Sequence, residues 1–341
     1  MDRRWRTTLL GMVVASAGAF LEKSGDYTFF PSVLDAAQNA SASTPRPAEL
    51  PFAQLKPDAE IPLTIEPGAA ITDDAVWVAE REPTQIVRID AKTNALDKPI
   101  ALPAPPCASL AVAFGSVWVP TCGSSTLTRV DVKAGNITAS VPVPIAEPAG
   151  SIAVAVESVW AAVDVKGVIA RIDPRTNTAV AEAYVARTPF AVAAADDVVW
   201  VTSEDGDQLT RIDAHTNTIV QTVKAGPRPG RLVIADGSVW TLNRGDGSVT
   251  RVDAKTNKVV ATIAIDNTAG TGDLAAGEGA VWVSTPGVPL IRIDPRTNRV
   301  SHRFTGPGGG AMVVGHGSLW VAAGPKRTWR LDPKLVEAMR P

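Results

Sequence analysis

Charged and polar side chains that could bind a ligand interrupt an otherwise repetitive pattern at a few places in this sequence. Arg231 and Asp273 each stand nine residues before a tryptophan, where matching positions hold small residues such as Ser109, Ser151 and Ala311. A guanidinium and a carboxylate at such positions could bind a polar ligand through ion pairs and hydrogen bonds. We predict a ligand-binding face that includes Arg231, Asp273, Glu80, Arg244, Arg187 and Ser203.

Residues that commonly carry out catalysis are scarce. The three histidines, His215, His302 and His316, fall in different parts of the repeat described below. They therefore predict no histidine cluster for metal binding or proton transfer. The sequence has neither a glycine loop of P-loop spacing nor a Gly-x-Ser-x-Gly nucleophile elbow. We predict no catalytic residue, no metal and no cofactor, and whether the protein is an enzyme stays open.

The only cysteines are Cys107 and Cys122. They flank two short apolar segments that are joined by a turn near Gly115, so antiparallel pairing would place them almost opposite each other. A protein metal site needs more ligands than two thiols. In an exported protein this arrangement predicts a disulfide.

The elements that must position these residues repeat with a period near 40 residues. Each period has a tryptophan after Val or Leu, and 12 or 13 residues later an aspartate preceded by Arg-Ile, Arg-Val or Arg-Leu. A fixed period of this kind is typical of repeat architectures. The tryptophans are Trp77, Trp118, Trp160, Trp200, Trp240, Trp282 and Trp320.

One period contains four short strands. In residues 231–265, apolar segments are separated by turns or loops at 236–237, 244–247 and 253–257. Four antiparallel strands in 40 residues form the blade of a β-propeller, so we predict an all-β, seven-bladed β-propeller with four-stranded antiparallel blades. Residues 61–65 read as a further strand, and we predict that this N-terminal strand completes the last blade and covers its free edge.

The residues present in every repeat are expected to build the scaffold. A large side chain at one place in each blade is expected to pack between neighbouring sheets. The repeated aspartate is expected to accept hydrogen bonds from turn amides, and the arginine before it to cover apolar surface or pair with an aspartate. Function is therefore expected where the repeats differ, on the face formed by the loops between strands two and three and between blades.

The N-terminal sequence and the overall composition limit the class of protein. Arg3, Arg4 and Arg6 precede a short apolar stretch, which predicts a signal peptide over residues 1–21. An irregular Pro/Ala-rich linker is predicted over 22–58 and the propeller over 59–341. The net charge of −2 argues against a nucleic-acid partner, and no other segment is apolar enough to span a membrane. We expect a periplasmic or secreted monomer.

The repeated unit resembles a known family. Val239-Trp240, Arg251-Val252-Asp253, Thr256-Asn257 and residues 259–263 are similar to the repeat of the YVTN-type bacterial β-propellers and of those grouped with virginiamycin B lyase (streptogramin lyase). The similarity extends over roughly residues 61–332. It implies an exported protein with a propeller fold.

The resemblance leaves two functions open. The lyase opens a cyclic peptide ester with histidines, a glutamate and magnesium on its channel face, whereas no histidine is predicted in the channel loops here. We therefore expect a binding or interaction module for a small polar ligand or a protein partner. The alternative is a lyase-like enzyme with its site at the central channel mouth.

Overall fold

The computed structural model describes residues 47–340, apart from 48, 146–150 and 266–269. The predicted signal peptide and residues 22–46 of the predicted linker lie outside the described residues. The described chain forms seven small sheets, and the inner strands of neighbouring blades contact one another all the way around a central channel. Among the described residues, no helix has the length and apolar character needed to cross a membrane.

Blades 1 to 6 each take four consecutive antiparallel strands, which run outward from the channel. Their strands are Pro67–Ile71, Ala75–Glu80, Gln85–Asp90 and Ile100–Ala101 in blade 1; Ala111–Ala113, Ser116–Thr121, Thr126–Asp131 and Ile137–Pro142 in blade 2; and Ile152–Ala155, Ser158–Ala162, Val168–Asp173 and Thr178–Tyr184 in blade 3. They are Pro189–Ala195, Val198–Ser203, Gln208–Asp213 and Thr218–Lys224 in blade 4; Pro229–Ala235, Ser238–Asn243, Ser248–Asp253 and Lys258–Ala264 in blade 5; and Asp273–Gly277, Ala280–Thr285, Val288–Asp294 and Arg299–Thr305 in blade 6.

Blade 7 closes the ring with strands from both ends of the described chain. Met312–Gly315, Ser318–Gly324 and Arg327–Leu331 are followed, at the outer edge, by the N-terminal strand Ala59–Ile61. That strand pairs antiparallel with Arg327–Leu331. The predicted closure of the last blade by an N-terminal strand is therefore confirmed.

The closing strand ends earlier than the sequence predicts. The ladder stops at Ile61 because Pro62 has no N–H to donate. The predicted strand residues after it still pack on the blade, since Leu63 and Ile65 are buried. Thr328 Oγ1 donates to the Leu63 carbonyl at 2.9 Å. Side-chain burial therefore continues the closure where the backbone ladder ends.

Part of the predicted linker packs on the propeller. Glu49–Pro51 adds a fifth strand to blade 6, parallel to Arg299–Thr305, and Phe52–Gln54 follows as a 3-10 helix. The ring of Phe52 stacks on Trp329 with centroids 4.7 Å apart. Burial of Phe52 and Leu55 explains why residues 49–58 are ordered on the blades rather than irregular.

The seven repeated tryptophans are buried, and each packs in the core between two blades. Trp118 of blade 2, for example, is in one apolar cluster with Val159 and Ile172 of blade 3. Their predicted role in the core is confirmed. The seven, all at most 2% exposed, are Trp77, Trp118, Trp160, Trp200, Trp240, Trp282 and Trp320.

Six of the seven repeated aspartates close the outer hairpin turns, as predicted, and the seventh, Asp332, caps a helix. Asp253 Oδ1 accepts hydrogen bonds from the backbone N–H groups of Thr256 at 2.7 Å and Lys255 at 3.0 Å. These bonds stabilise the ionised carboxylate and lower the pKa of Asp253 below its ordinary value. The same cause lowers the pKa of Asp131.

An arginine clasp joins most neighbouring blades. Arg251 lies over Trp240, with its Cζ 4.8 Å from the ring centroid. Its Nη1 then reaches blade 6, where it donates to the Pro295 carbonyl at 2.6 Å and to Asn298 Oδ1 at 2.8 Å. Four further arginines make the matching contact with an asparagine of the next blade. The pairs are Arg129 with Asn177, Arg171 with Asn217, Arg211 with Asn257, and Arg330 with Asn94.

The described chain ends in a short helix, Pro333–Ala338, capped by the side chain of Asp332. Its residue Val336 is buried against the core. The helix lies where a hairpin follows the aspartate in the other blades, so Arg292 of blade 6 pairs with Glu337 at 3.0 Å instead of an asparagine.

Candidate functional site

One repeat position at or near the start of the inner strand lies at the mouth of the central channel. In five blades this position, nine residues before the tryptophan, is small. Blades 5 and 6 place Arg231 and Asp273 there instead. The channel below is a cavity of about 440 Å³ lined chiefly by small apolar residues of the inner strands. Arg231 and Asp273 are therefore charges set at the rim of a largely apolar channel.

Arg231 and Asp273 contact each other loosely. Arg231 Nε lies 3.7 Å from Asp273 Oδ1, beyond hydrogen-bond distance, and the side chains are 25% and 20% exposed. Both also line a second cavity of about 360 Å³ at the channel mouth. The structure thus brings together the two residues that the sequence singled out most strongly.

The Asp273 carboxylate is held by backbone groups of two blades. Oδ1 accepts from its neighbour Leu274 N–H at 3.0 Å, and Oδ2 accepts from Met312 N–H of blade 7 at 3.0 Å. Burial raises the pKa of Asp273, opposed by the charge of Arg231 and by the two N–H bonds. Its orientation is consequently fixed before any ligand arrives.

The Arg231 guanidinium is much less satisfied. Its Cζ lies 5.9 Å from the centre of the Phe190 ring. Within the part of the chain that the structure describes, no hydrogen-bond acceptor engages its five N–H donors, and Asp273 is its one ion-pair partner. A guanidinium three-quarters removed from solvent and facing a cavity is arranged to bind an anionic group.

A second arginine network lies beside Phe190. The Cζ of Arg244 is 4.7 Å from the Phe190 ring centre, and its Nε donates to the Gly270 carbonyl at 2.8 Å. Arg244 Nη1 also forms an ion pair with Glu204, which Arg228 Nη2 approaches at 3.4 Å. Because Glu204 and a carbonyl occupy its donors, Arg244 braces the rim rather than offering a free guanidinium.

Arg187 and Ser203 have different exposures. Arg187 is exposed on the same rim, and its side chain has no hydrogen bond or ion pair among the described residues. Ser203 is fully buried, and its hydroxyl donates to the Ala186 carbonyl at 3.1 Å. This hydroxyl fixes the loop between blades 3 and 4 instead of facing the channel, because the strand alternation turns it inward.

Glu80 lies on the other side of the mouth, in blade 1. Its Oε2 accepts from Gln85 Nε2 at 2.7 Å, and it borders a separate cavity of about 310 Å³ with Glu66 and Lys326. It does not line the mouth cavity that contains Arg231. Of the predicted site residues, Arg231 and Asp273 line the mouth cavity, Glu80 lines its neighbour, and Arg187, Ser203 and Arg244 line neither.

Two charged residues that line the mouth cavity were not among the predicted site residues. Glu66 precedes the inner strand of blade 1, and Arg81 follows its second strand. Arg81 Nη2 donates to the Cys107 carbonyl at 3.4 Å. Glu66 lies in a loop between blades and Arg81 in a loop between strands two and three. Both kinds of loop were assigned to the binding face from the sequence, and this was the signal that could have identified the two residues.

Cys107 and Cys122 form a disulfide in the structure, with Cα atoms 5.8 Å apart. It joins the loop that enters blade 2 to the end of that blade's second strand. Cys107 also lines the mouth cavity. The disulfide therefore anchors one wall of the candidate site.

The histidines lie away from the channel mouth. His215 is in an outer hairpin turn, His316 is in the turn after the inner strand of blade 7, and His302 Nε2 lies 2.9 Å from the Met339 carbonyl at the periphery. The described residues contain no group of three or more His, Cys, Asp or Glu placed to hold a metal ion. The described histidines therefore do not meet Arg231 and Asp273 at the mouth.

Comparison with known proteins gives a match in structure alone. No protein-family model and no curated protein match this sequence. Virginiamycin B lyase from Staphylococcus aureus superposes with a TM-score of 0.67 at 16% identity, covering 80% of this chain and 98% of that one. The chain has the propeller fold of the streptogramin lyases.

Two further solved structures agree. A streptogramin B lyase superposes with a TM-score of 0.65 at 18% identity, covering 80% of this chain and 94% of its own. A catalytically inactive virginiamycin B lyase from S. aureus with quinupristin gives 0.66 at 15% identity, covering 80% and 99%. The predicted resemblance is confirmed at the level of the fold, which is what similarity at these identities shows.

Proposed function

We propose that this protein is an exported binding protein whose propeller takes a small polar ligand with an anionic group at the channel mouth. The observation that carries the proposal is the guanidinium of Arg231. It faces the mouth cavity and is 25% exposed, and among the described residues it contacts only the Phe190 ring and, through an ion pair at 3.7 Å, Asp273. A carboxylate, sulfate or phosphate group would satisfy its donors.

The surroundings of Arg231 support a small ligand. The mouth cavity of about 360 Å³ opens onto the 440 Å³ channel, whose walls are largely apolar. Cavities of a few hundred Å³ with few convergent polar groups are typical of small-molecule sites. The partial burial of the guanidinium strengthens its attraction for an anion, because less water screens the charge. Asp273, fixed by two backbone N–H groups, limits where that anion binds.

Export is part of the same proposal. It is supported by the basic and then apolar N-terminal sequence and by the Cys107–Cys122 disulfide, which an oxidising compartment would preserve. Fractionation of cells that express the full chain should place the protein in the periplasm or medium. Deleting residues 2–21 should keep it in the cytoplasm.

Calorimetric titration with acetate, succinate, citrate and phosphate at constant ionic strength tests the binding site. We expect at least one of these anions to bind, and Arg231→Ser to weaken that binding by about 10- to 100-fold, because a charged hydrogen bond is lost. Arg299→Ser is the matched control, since Arg299 is an exposed arginine on the outer strand of blade 6. Equal binding by wild type and Arg231→Ser would place the site elsewhere.

A lyase-like enzyme is the alternative, and the structural similarity to streptogramin lyases is what favours it. It is tested by incubating the protein with quinupristin, the compound named with one of those structures, and following it by reversed-phase chromatography. We expect the compound to elute unchanged. A new, ring-opened product that disappears in Arg231→Ser would support the enzyme instead.

A further inference from the structure

A cavity of about 660 Å³ lies between blades 1 and 2, at the end of the strands opposite the channel mouth. Asp73 and Trp77 of blade 1 and Val132 and Gly135 of blade 2 are among its lining residues, and Arg88 borders it. These are the repeat positions that hold the arginine clasp between other blades. At other blade boundaries the matching place is filled by an arginine side chain.

The boundary between blades 2 and 3 shows what occupies those positions when the clasp forms. Arg129 lies over Trp118 with its Cζ 5.0 Å from the ring centroid. Its Nη2 donates to the Phe114 carbonyl at 3.1 Å, and its Nη1 donates to the Pro174 carbonyl at 2.7 Å and lies 3.3 Å from Asn177 Oδ1. The surroundings are thus built around one guanidinium.

The boundary between blades 1 and 2 has no guanidinium in this place, and its first turn differs in hand, because Phe114 has a φ of 55° whereas Asp73 is not left-handed. Counted from the tryptophan and the turn aspartate, Asp73 matches Phe114, and Val132 matches Pro174. Within the described chain, neither the Asp73 nor the Val132 carbonyl accepts a hydrogen bond, and the Asp73 carboxylate has no ion-pair partner.

The missing asparagine explains why Arg88 does not make the clasp. Blade 1 also has Ala75 where Ser116 accepts from Arg129 Nε at 2.8 Å, but Arg211 makes the clasp with Val198 at that position. The clasp asparagine is replaced by Gly135, which keeps the left-handed φ of 62° but has no side-chain acceptor. Arg88 instead turns to Asp74 at 2.8 Å and Asp97 at 3.0 Å, its side chain 18% exposed.

We infer that the cavity between blades 1 and 2 binds a guanidinium group brought by a ligand. The carbonyl of Val132, which matches that of Pro174, accepts an N–H donor above Trp77, and the Asp73 carboxylate pairs with the cation. Lys98 and Lys133 at the rim repel additional positive charge, so the ligand carries a single cation. A free guanidino compound and an arginine side chain of a peptide share this chemistry.

An NMR titration of the full chain tests the inference. The probes are methylguanidinium and the capped tripeptide acetyl-Gly-Arg-Gly-amide, with methylammonium and the lysine tripeptide as controls. We expect the two guanidinium probes to shift the indole N–H signal of Trp77, assigned with Trp77→Phe, and the ammonium controls to leave it unchanged. If only the arginine tripeptide saturates the Trp77 shift, the ligand is the arginine side chain of a peptide. If methylguanidinium binds with the same affinity as the tripeptide, the ligand is a free guanidino compound.

The double variant Ala75→Ser/Gly135→Asn supplies both missing parts of the clasp for Arg88. Asparagine tolerates the left-handed backbone there, as Asn177 does at a φ of 55°. With Arg88 filling the cavity, we expect the affinity for the guanidinium probe to fall by about tenfold or more. Ala280→Ser, the same change at the matching position of blade 6, should leave the affinity unchanged.

A second variant tests the inference even if the double variant does not fold. Asp73→Asn keeps the Val132 acceptor and removes the carboxylate, so binding should weaken several-fold while the circular dichroism spectrum is retained. The inference is overturned if Trp77 does not respond to either guanidinium probe. It is also overturned if methylammonium binds as tightly as methylguanidinium, or if the folded double variant binds the guanidinium probes as tightly as wild type.

Discussion

The carboxylate of Asp273 accepts a hydrogen bond from the backbone N–H of Met312, 3.0 Å away in the next blade. Ser151 Oγ makes the matching bond to Val192 N–H, also at 3.0 Å, between blades 3 and 4. Asp273 therefore ties two blades together in addition to facing the channel. Small residues at the matching position of five blades predict that the fold does not require a charge here, and the structure shows in addition that the side chain supplies an acceptor between blades.

Asp273→Ser and Asp273→Ala separate these two contributions. Serine should preserve the bond to Met312, as Ser151 does for Val192, and change the free energy of unfolding little. Alanine leaves the buried N–H without a partner and should cost about 1–3 kcal/mol. Urea denaturation measures both. Equal stability of the two variants would show that the inter-blade bond contributes nothing.

Asn298→Gly removes one acceptor of the arginine clasp. Asn298 has a φ of 55°, which glycine adopts readily, so the main loss is the hydrogen bond from Arg251. We expect the free energy of unfolding to fall by about 1 kcal/mol. Lys326→Gly is the control, since Lys326 has a φ of 50° and its side chain makes no hydrogen bond or ion pair with described residues. If Lys326→Gly lowers the free energy of unfolding as much as Asn298→Gly does, the loss comes from the glycine backbone and not from the hydrogen bond.

Deleting residues 1–65 should destabilise the ring much more than deleting residues 1–57. Both truncations remove Phe52, but only the longer one removes the closing strand and the buried side chains of Ile61, Leu63 and Ile65. Each buried side chain contributes about 2 kcal/mol, and the edge of blade 7 loses its partner. Thermal melting compares the two truncated proteins. Coincident melting curves would contradict closure by this strand.

The turn aspartates make part of the stability depend on pH. Because hydrogen bonds lower the pKa of Asp253 in the folded state, the folded protein binds fewer protons there than the unfolded chain. That stabilisation is complete above the ordinary pKa of about 4 and is lost as pH falls through the folded value.

Asp253→Asn tests this dependence. It should lower the Tm at pH 7 and have a smaller effect near pH 3. Glu278→Gln, which removes an exposed charge from another turn, reports the general effect of net charge. A wild-type advantage over Asp253→Asn that persists undiminished at acidic pH would contradict the assignment.

The Cys107–Cys122 disulfide should persist in exported material. With a sequence separation of 15 residues, its entropic contribution should be about 3 kcal/mol. Non-reduced peptide mapping by mass spectrometry should find the cross-linked pair, and reduction should lower the Tm. Recovery of both thiols free from periplasmic protein would count against the bond and against its role in the mouth wall.

The sequence predicts the architecture well because every blade repeats the same physical solution. A buried tryptophan such as Trp240 and a turn aspartate such as Asp253 recur at fixed spacing, so strand positions and ring closure are readable without coordinates. The candidate site is only partly readable. Its residues come from different blades, and their spacing along the chain does not tell which loops converge.

The sequence by itself determined the seven blades, the core role of the tryptophans and the places where the repeats differ, because these follow from local periodicity and burial. Only the tertiary structure decided that Arg231 meets Asp273 while Glu80 borders another cavity, and that Phe52 stacks on Trp329. It also decided that Arg88 pairs with Asp74 and Asp97 instead of forming a clasp. These outcomes depend on contacts between residues far apart in the chain, where a side chain takes the partner that the whole ring brings within reach.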